Sequence, residues 1–156
     1  MHLVIAGESH ARSSGYHAHL KKLVVELGIE QRVLWVGHLS AAELAWCYRE
    51  CSAFIMSSRV EACPNIGLEA LSHGCLLVST SCPPMPEFFQ NAAGYYRAGN
   101  LDELEASLMR VLSLPPEEVA RQRQLAATRS LDFSWESTAQ ETVKQLTLAA
   151  RGEGTR

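Results

Sequence analysis

The 156 residues contain no apolar run near the roughly 18 to 20 residues that cross a bilayer, and the stretch Leu3–Ala6 is too short for the core of a secretory signal. The chain is therefore expected in the cytoplasm. No Gly-x-Gly-x-x-Gly follows the first apolar run, so the dinucleotide fingerprint of an oxidoreductase is missing. Nor is there a Cys-x-x-Cys pair. Cys47, Cys51, Cys63, Cys75 and Cys82 are an odd set, unlike the even framework of small secreted domains, and are expected as reduced thiols. Neither sign of charge dominates: 14 Lys and Arg face 17 Asp and Glu, a net charge of −3. The cations are scattered, which argues against nucleic acid as a partner. No internal repeat or low-complexity segment interrupts the chain. What remains is 47% hydrophobic and 20% charged, enough for one domain with a sizeable core over residues 1–150, followed by a frayed tail over 151–156.

Four short apolar runs, His2–Ala6, Val33–Gly37, Ala53–Met56 and Cys75–Ser79, read as strands apolar on both faces. Between them lie helical patterns. Leu20, Leu23, Val24 and Leu27 follow i, i+3, i+4, i+7 and stop at Gly28. Ser40 and Glu43 form a capping box ahead of Leu44, Cys47, Tyr48 and Cys51. A third helix is predicted from Pro64, at the first helical position, to Gly74. The order βαβαβαβ forces crossover connections, so the predicted fold is α/β, a Rossmann-like, largely parallel sheet with helices on both faces.

Three prolines within Ser81–Pro86 predict a loop leaving the sheet, with Pro86, Glu87 and Phe88 opening a helical turn. Asn100 with Glu103 caps a helix carrying Leu101, Leu104, Leu108 and Val111. Pro115 and Pro116 break the chain before a helix over Glu117–Arg129. Ser134 caps a last one, about Trp135–Ala150, with Thr138, Thr142, Val143 and Leu146 as a weak stripe.

Ligands of open α/β sheets bind beyond the carboxyl ends of strands, and the loop after Met56 is the informative one. It places Glu61 and Glu69 eight positions apart with a helix start between them. Free N–H groups near Asn65, Ile66 and Gly67 would meet an anion at the positive end of the helix dipole. Glu69, further along, could accept from two neighbouring hydroxyls such as those of a ribose. From spacing alone, two solvated helix carboxylates remain the commoner outcome.

The Glu-x7-Glu pattern, followed by Ala70-Leu71, Gly74 and an apolar strand, resembles the C-terminal half of retaining glycosyltransferases of group 1, the family 4 class. Leu3–Gly7 is similar to that family's strand and glycine turn, Val33–Gly37 to its "V-x-F-x-G" strand, Pro83–Glu87 to a stretch ending in Glu, and Phe133-Ser134-Trp135 to the motif before its last helix. The resemblance implies the donor-binding half of a GT-B fold. It also implies a nucleotide-diphospho-sugar as substrate, no metal and no other cofactor, and retaining transfer of a hexose to an acceptor hydroxyl. Glu61 then matches the glutamate beside the donor sugar and is the candidate catalytic residue. Glu69 matches the ribose ligand. The backbone at Cys63, Pro64, Asn65 and Ile66 matches the loop that meets sugar hydroxyls and phosphate, with Gly7, His38, Arg59 and Glu87 as further donor-binding candidates.

The chain departs from the family where Ala62-Cys63-Pro64 replaces Gly-Phe-Gly, so position 64 cannot donate a hydrogen bond, and where Gly7-Glu8-Ser9 lacks a second glycine. Members carry an Arg and a Lys against the diphosphate on a unit this chain lacks, and Arg12 and Arg59 are the positional substitutes. An N-terminal acceptor-binding domain, in cis or in trans, is the expected partner and would carry any peripheral contact with the inner membrane. Without it, self-association through an open sheet edge or the last helix is expected. A non-catalytic nucleotide-sugar-binding or scaffolding module is the alternative, and an epimerase of the related GT-B class would need acid/base residues not evident here. His10, His17 and His19 are spaced for solvent or the helix surface rather than a shared metal, and Cys47 and Cys51, on the apolar stripe of their helix, for core packing.

Overall fold

The computed structural model describes residues 1–8 and 14–152, so Ser9, His10, Arg12 and the tail beyond 152 lie outside the described residues. The chain divides into two compact units, Met1–Trp46 and Cys47–Arg156. In the first, β1 (Leu3–Ala6) pairs in parallel with β2 (Val33–Gly37), and the crossover between them carries α1 (Ser14–Glu26). Gly28, at φ +63°, turns the chain after α1. Both strands were expected to be buried on both faces. Instead Leu3, Val4, Leu34 and Val36 stay largely exposed within this two-stranded sheet. His17, expected in solvent or on the helix surface, packs its ring on Trp35 at a centroid distance of 4.9 Å.

The helix α2 (Ala41–Glu50) begins on the expected capping box. The Ser40 N–H donates to Glu43 Oε2 at 2.8 Å and the Ser40 hydroxyl at 2.6 Å, while the Glu43 N–H returns to Ser40 Oγ at 3.4 Å. The division between the units falls inside this helix.

The second unit holds a three-stranded parallel sheet in the order β3 (Phe54–Met56), β4 (Leu77–Thr80), β5 (Ala93–Tyr96). Each crossover carries a helix, α3 (Asn65–Ser72) before β4 and α4 (Met85–Phe89) before β5. β4 is flanked on both edges and all four of its residues are buried, as a continuous apolar run requires. The prolines after Ser81 take the chain out of the sheet only as far as α4, after which it returns as β5. Ala93-Gly94-Tyr95-Tyr96 is a weak strand signal, and pairing with β4 supplies what local propensity does not.

Met56, Leu71, Leu77, Met85, Phe89, Ala92 and Ala126 form one apolar cluster, and Leu76, Val78, Tyr96 and Val111 a second. Gly67 is dictated by the first of these. A Cβ there would strike the Phe89 ring and come within 3.1 Å of Met56 Sδ. α5 (Leu101–Leu112) starts where Asn100 Oδ1 accepts from the Glu103 N–H at 3.1 Å, α6 (Pro116–Ser130) after Pro115, and α7 (Trp135–Ala150) at Ser134, whose Oγ accepts from the Ser137 N–H at 3.0 Å. The weak stripe of α7 does not become a packed seam, since Val143 and Leu146 are exposed. No described helix is long and apolar enough to cross a membrane.

Candidate functional site

Because β3, β4 and β5 run parallel, their carboxyl ends share one edge, where the segments 57–64, 81–84 and 97–100 emerge. The first is held to the edge from its start: Thr80, the buried last residue of β4, donates its hydroxyl to Ser58 O at 2.6 Å. Arg59 follows, exposed and in no ion pair among the described residues. Its guanidinium lies against the third segment, so that a Cβ on Gly99 would meet Nη2 at 3.6 Å. Glu61 is half-buried in the same segment, and no described residue hydrogen-bonds its carboxylate.

Pro64 is fully buried and stands just outside α3 rather than at its first position. Its carbonyl accepts from both Gly67 at 2.9 Å and Leu68 at 3.1 Å. Three free donors were expected at this helix start. The structure leaves one: the Asn65 N–H turns back to Cys63 O at 2.9 Å and Gly67 is taken by Pro64, so Ile66 alone has no acceptor among the described residues. The reason is the buried proline, which pulls the chain into a tight turn whose own carbonyls satisfy the first donors. Cys63, exposed, closes the turn with its thiol on Asn65 Oδ1 at 3.2 Å.

Glu69 lies one turn further along α3 and is exposed. One oxygen, Oε2, accepts from the Tyr48 hydroxyl at 3.5 Å. Tyr48 is buried at 3% exposure, edge-on to Phe54 and stacked on His73, so the hydroxyl oxygen is fixed in position. Burial, then the charge of Glu69, pushes this phenol well above its usual range, which keeps it a proton donor throughout the ordinary pH scale. Oε1 of Glu69 has no partner among the described residues. Tyr48 was read from the sequence only as part of an apolar stripe; the need of a buried tyrosine hydroxyl for a partner was the signal that could have marked it.

Glu87 sits exposed in the first turn of α4. Its position is set through the backbone: Arg129 of α6 donates from Nη2 to Glu87 O and from Nε to Phe88 O, both at 2.8 Å, while its guanidinium covers the Phe133 ring. Gly7 and His38 belong to the other unit. Gly7, at φ +126°, donates its N–H to Gly37 O at 2.7 Å and so closes the β1 turn, and His38 is exposed directly after β2. The arrangement thus brings Arg59, Glu61, Cys63, Pro64, Asn65, Ile66, Glu69 and Glu87 into one unit, along the carboxyl edge of its sheet and the helices that follow. Cys51, expected to pack in the core, faces the fully buried Cys75, with Sγ atoms 3.6 Å apart.

Residues 1–129 match the family model described as glycosyl transferases group 1. The chain is 33% identical over 93 residues to the lipopolysaccharide 1,6-galactosyltransferase of Salmonella typhimurium, covering 56% of this chain and 26% of that protein. It is 31% identical over 127 residues to an MMP α-(1→4)-mannosyltransferase of Mycolicibacterium hassiacum, covering 79% of this chain and 31% of that one. The chain therefore spans about a third or less of the length of these curated relatives. Among solved structures, Anabaena HepE in complex with UDP and glucose superposes with a TM-score of 0.83 at 18% identity, over 94% of this chain and 40% of the other. That likeness places the fold among GT-B glycosyltransferases. With a glycosyltransferase model matched from the first residue to Arg129, and with parallel strands joined by helices behind the two glutamates, the chain belongs to the group 1 glycosyltransferases.

Proposed function

We propose that the chain is the donor-binding part of a retaining glycosyltransferase, taking a hexose from a nucleotide-diphospho-sugar and completed by an acceptor-binding domain. The observation that carries the reading is Glu69: an exposed carboxylate with one oxygen engaged by a fixed Tyr48 hydroxyl and the other open, on the helix that starts at the carboxyl edge. Such a carboxylate suits the paired hydroxyls of a ribose. The open N–H of Ile66, one turn earlier at the positive end of the helix, suits a phosphate oxygen.

In this reading Arg59 carries positive charge to the departing diphosphate, where charge grows as the glycosidic bond breaks. Glu61, with no hydrogen-bond partner among the described residues, faces the sugar in this reading. The acceptor hydroxyl attacks from the side the diphosphate leaves, which preserves the anomeric configuration. HepE was solved with UDP and glucose, which makes UDP-sugars the first donors to test.

Isothermal titration of the chain with UDP, GDP and ADP and with their sugars tests the reading. Glu69→Ala is expected to weaken the bound nucleotide by about 1 to 3 kcal/mol, the scale of hydrogen bonds to a charged acceptor. Glu61→Ala is expected to spare the free nucleotide and reduce the preference for the sugar-bearing form. Unchanged nucleotide affinity in Glu69→Ala sinks the ribose assignment.

A further inference from the structure

Cys51 follows the last residue of α2 and Cys75 precedes β4, yet their Sγ atoms lie 3.6 Å apart. The two thiols are unequal. Cys75 is fully buried and donates to Tyr48 O at 2.7 Å, whereas Cys51 is half-buried, with its Sγ 3.5 Å from the same carbonyl. The neighbouring Cys75 thiol, aided by the Arg123 guanidinium, holds the Cys51 thiol below its usual range. The neighbouring Cys51 and burial push Cys75 up. A more accessible, more acidic thiol beside a buried one is the arrangement of an attacking sulfur and its resolving partner.

We propose that Cys51 and Cys75 are an oxidation site, a dithiol that hydrogen peroxide converts to an intramolecular disulfide and that acts through Tyr48 on Glu69. The Cys51 thiolate attacks one peroxide oxygen, the O–O bond breaks, and hydroxide leaves, giving the sulfenic acid. The Cys75 sulfur then attacks the Cys51 sulfur. The S–S bond forms, the S–O bond breaks, and the Cys75 proton leaves with the hydroxyl as water, so two thiols are oxidised and one peroxide is reduced. Closing to an S–S bond of about 2.05 Å needs roughly 1.5 Å of sulfur movement. It also removes the S–H that Cys75 gives to Tyr48 O, and Tyr48 is the residue whose hydroxyl meets Glu69. Only the consequence for donor binding rests on the function proposed above.

The test treats the purified chain with hydrogen peroxide, digests it with trypsin and a glutamate-specific protease, and locates the link by fragmentation. The expected product joins the Cys51 and Cys75 peptides, is lighter by two hydrogens, and is reversed by dithiothreitol. Cys51→Ser and Cys75→Ser, the latter keeping a hydroxyl donor for Tyr48, are each expected to abolish it. Hydrogen exchange over residues 65–72 is expected to rise about threefold in the oxidised chain, and UDP affinity to fall about threefold. Free or over-oxidised Cys51 and Cys75 without a link would overturn the site, and a link with unchanged exchange over 65–72 would overturn its action on Glu69. A reduced chain that binds no UDP would count against the donor reading alone, since link and exchange are read without nucleotide.

Discussion

Glu69 shows how a surface carboxylate is made into an oriented acceptor. The Tyr48 ring is held between Phe54 and His73, which fixes the position of its hydroxyl oxygen, and one carboxylate oxygen of Glu69 meets it while the other has no partner among the described residues. Tyr48→Phe keeps the ring packing and deletes the contact. Its expected effect is a loss of about 1 kcal/mol in nucleotide affinity, read by titration, with the thermal midpoint nearly unchanged. A drop in stability with unchanged affinity would mean that the hydroxyl serves packing alone. Arg129 is a second residue with reach beyond its own helix, since it ties α6 to the carbonyls of Glu87 and Phe88, and its side chain is only 15% exposed. Arg129→Met retains most of the stem but strands two carbonyls, and is expected to cost about 2 to 3 kcal/mol in denaturant unfolding. An unfolding midpoint equal to that of the parent chain would show that solvent replaces the guanidinium without cost.

Among the elements, α3 is the one whose placement decides the site. It packs so closely that position 67 has no room for a side chain, and Phe89, which a Cβ would strike, is itself fully buried and cannot give way. Gly67→Ala should therefore behave as an overpacked core substitution, costing about 1 to 3 kcal/mol even though alanine is the better helix former. A gain in stability on chemical denaturation would refute this packing. The start of α2 carries a different kind of constraint. Hydrogen bonds from the Ser40 hydroxyl and then its N–H hold the Glu43 carboxyl below its usual value, so the capping contribution is complete above the unfolded carboxylate range and is lost as pH falls through the lower, folded value. Protection of the amides in the first turn of α2 against exchange, relative to their intrinsic rates, is expected to fall on acidification below about pH 4, and Ser40→Ala, which keeps the backbone donor, should reduce that response. An acid response undiminished in the variant would assign it to another group.

For the molecule as a whole, the chain is read under the proposed function as a donor-binding part. It spans about a third or less of the curated relatives it matches, and glycosyl transfer needs an acceptor hydroxyl held near the anomeric carbon, an effective molarity that a facing surface supplies. The isolated chain is expected to bind donor weakly without transferring it, and to gain turnover only when an acceptor-binding domain is added; robust transfer by the chain alone would contradict this. The alternation of strand and helix, the caps at Ser40, Asn100 and Ser134, and the Glu61 to Glu69 spacing were all legible in the order of residues, because each is a short-range pattern that needs only its own neighbours. The strand β5 was not, because Ala93-Gly94-Tyr95-Tyr96 becomes a strand only when β4 offers its edge. The burial of β1 and β2 was overestimated for the related reason that an apolar run states what can be buried, while the packing partners decide what is. Likewise the helix start at Asn65 was visible, but the number of free donors there depended on where a buried Pro64 sent the chain. The pairing of Tyr48 with Glu69 and of Cys51 with Cys75 joins residues 21 and 24 positions apart, and such contacts exist only once β3 and β4 have aligned and folded α3 back beside the end of α2.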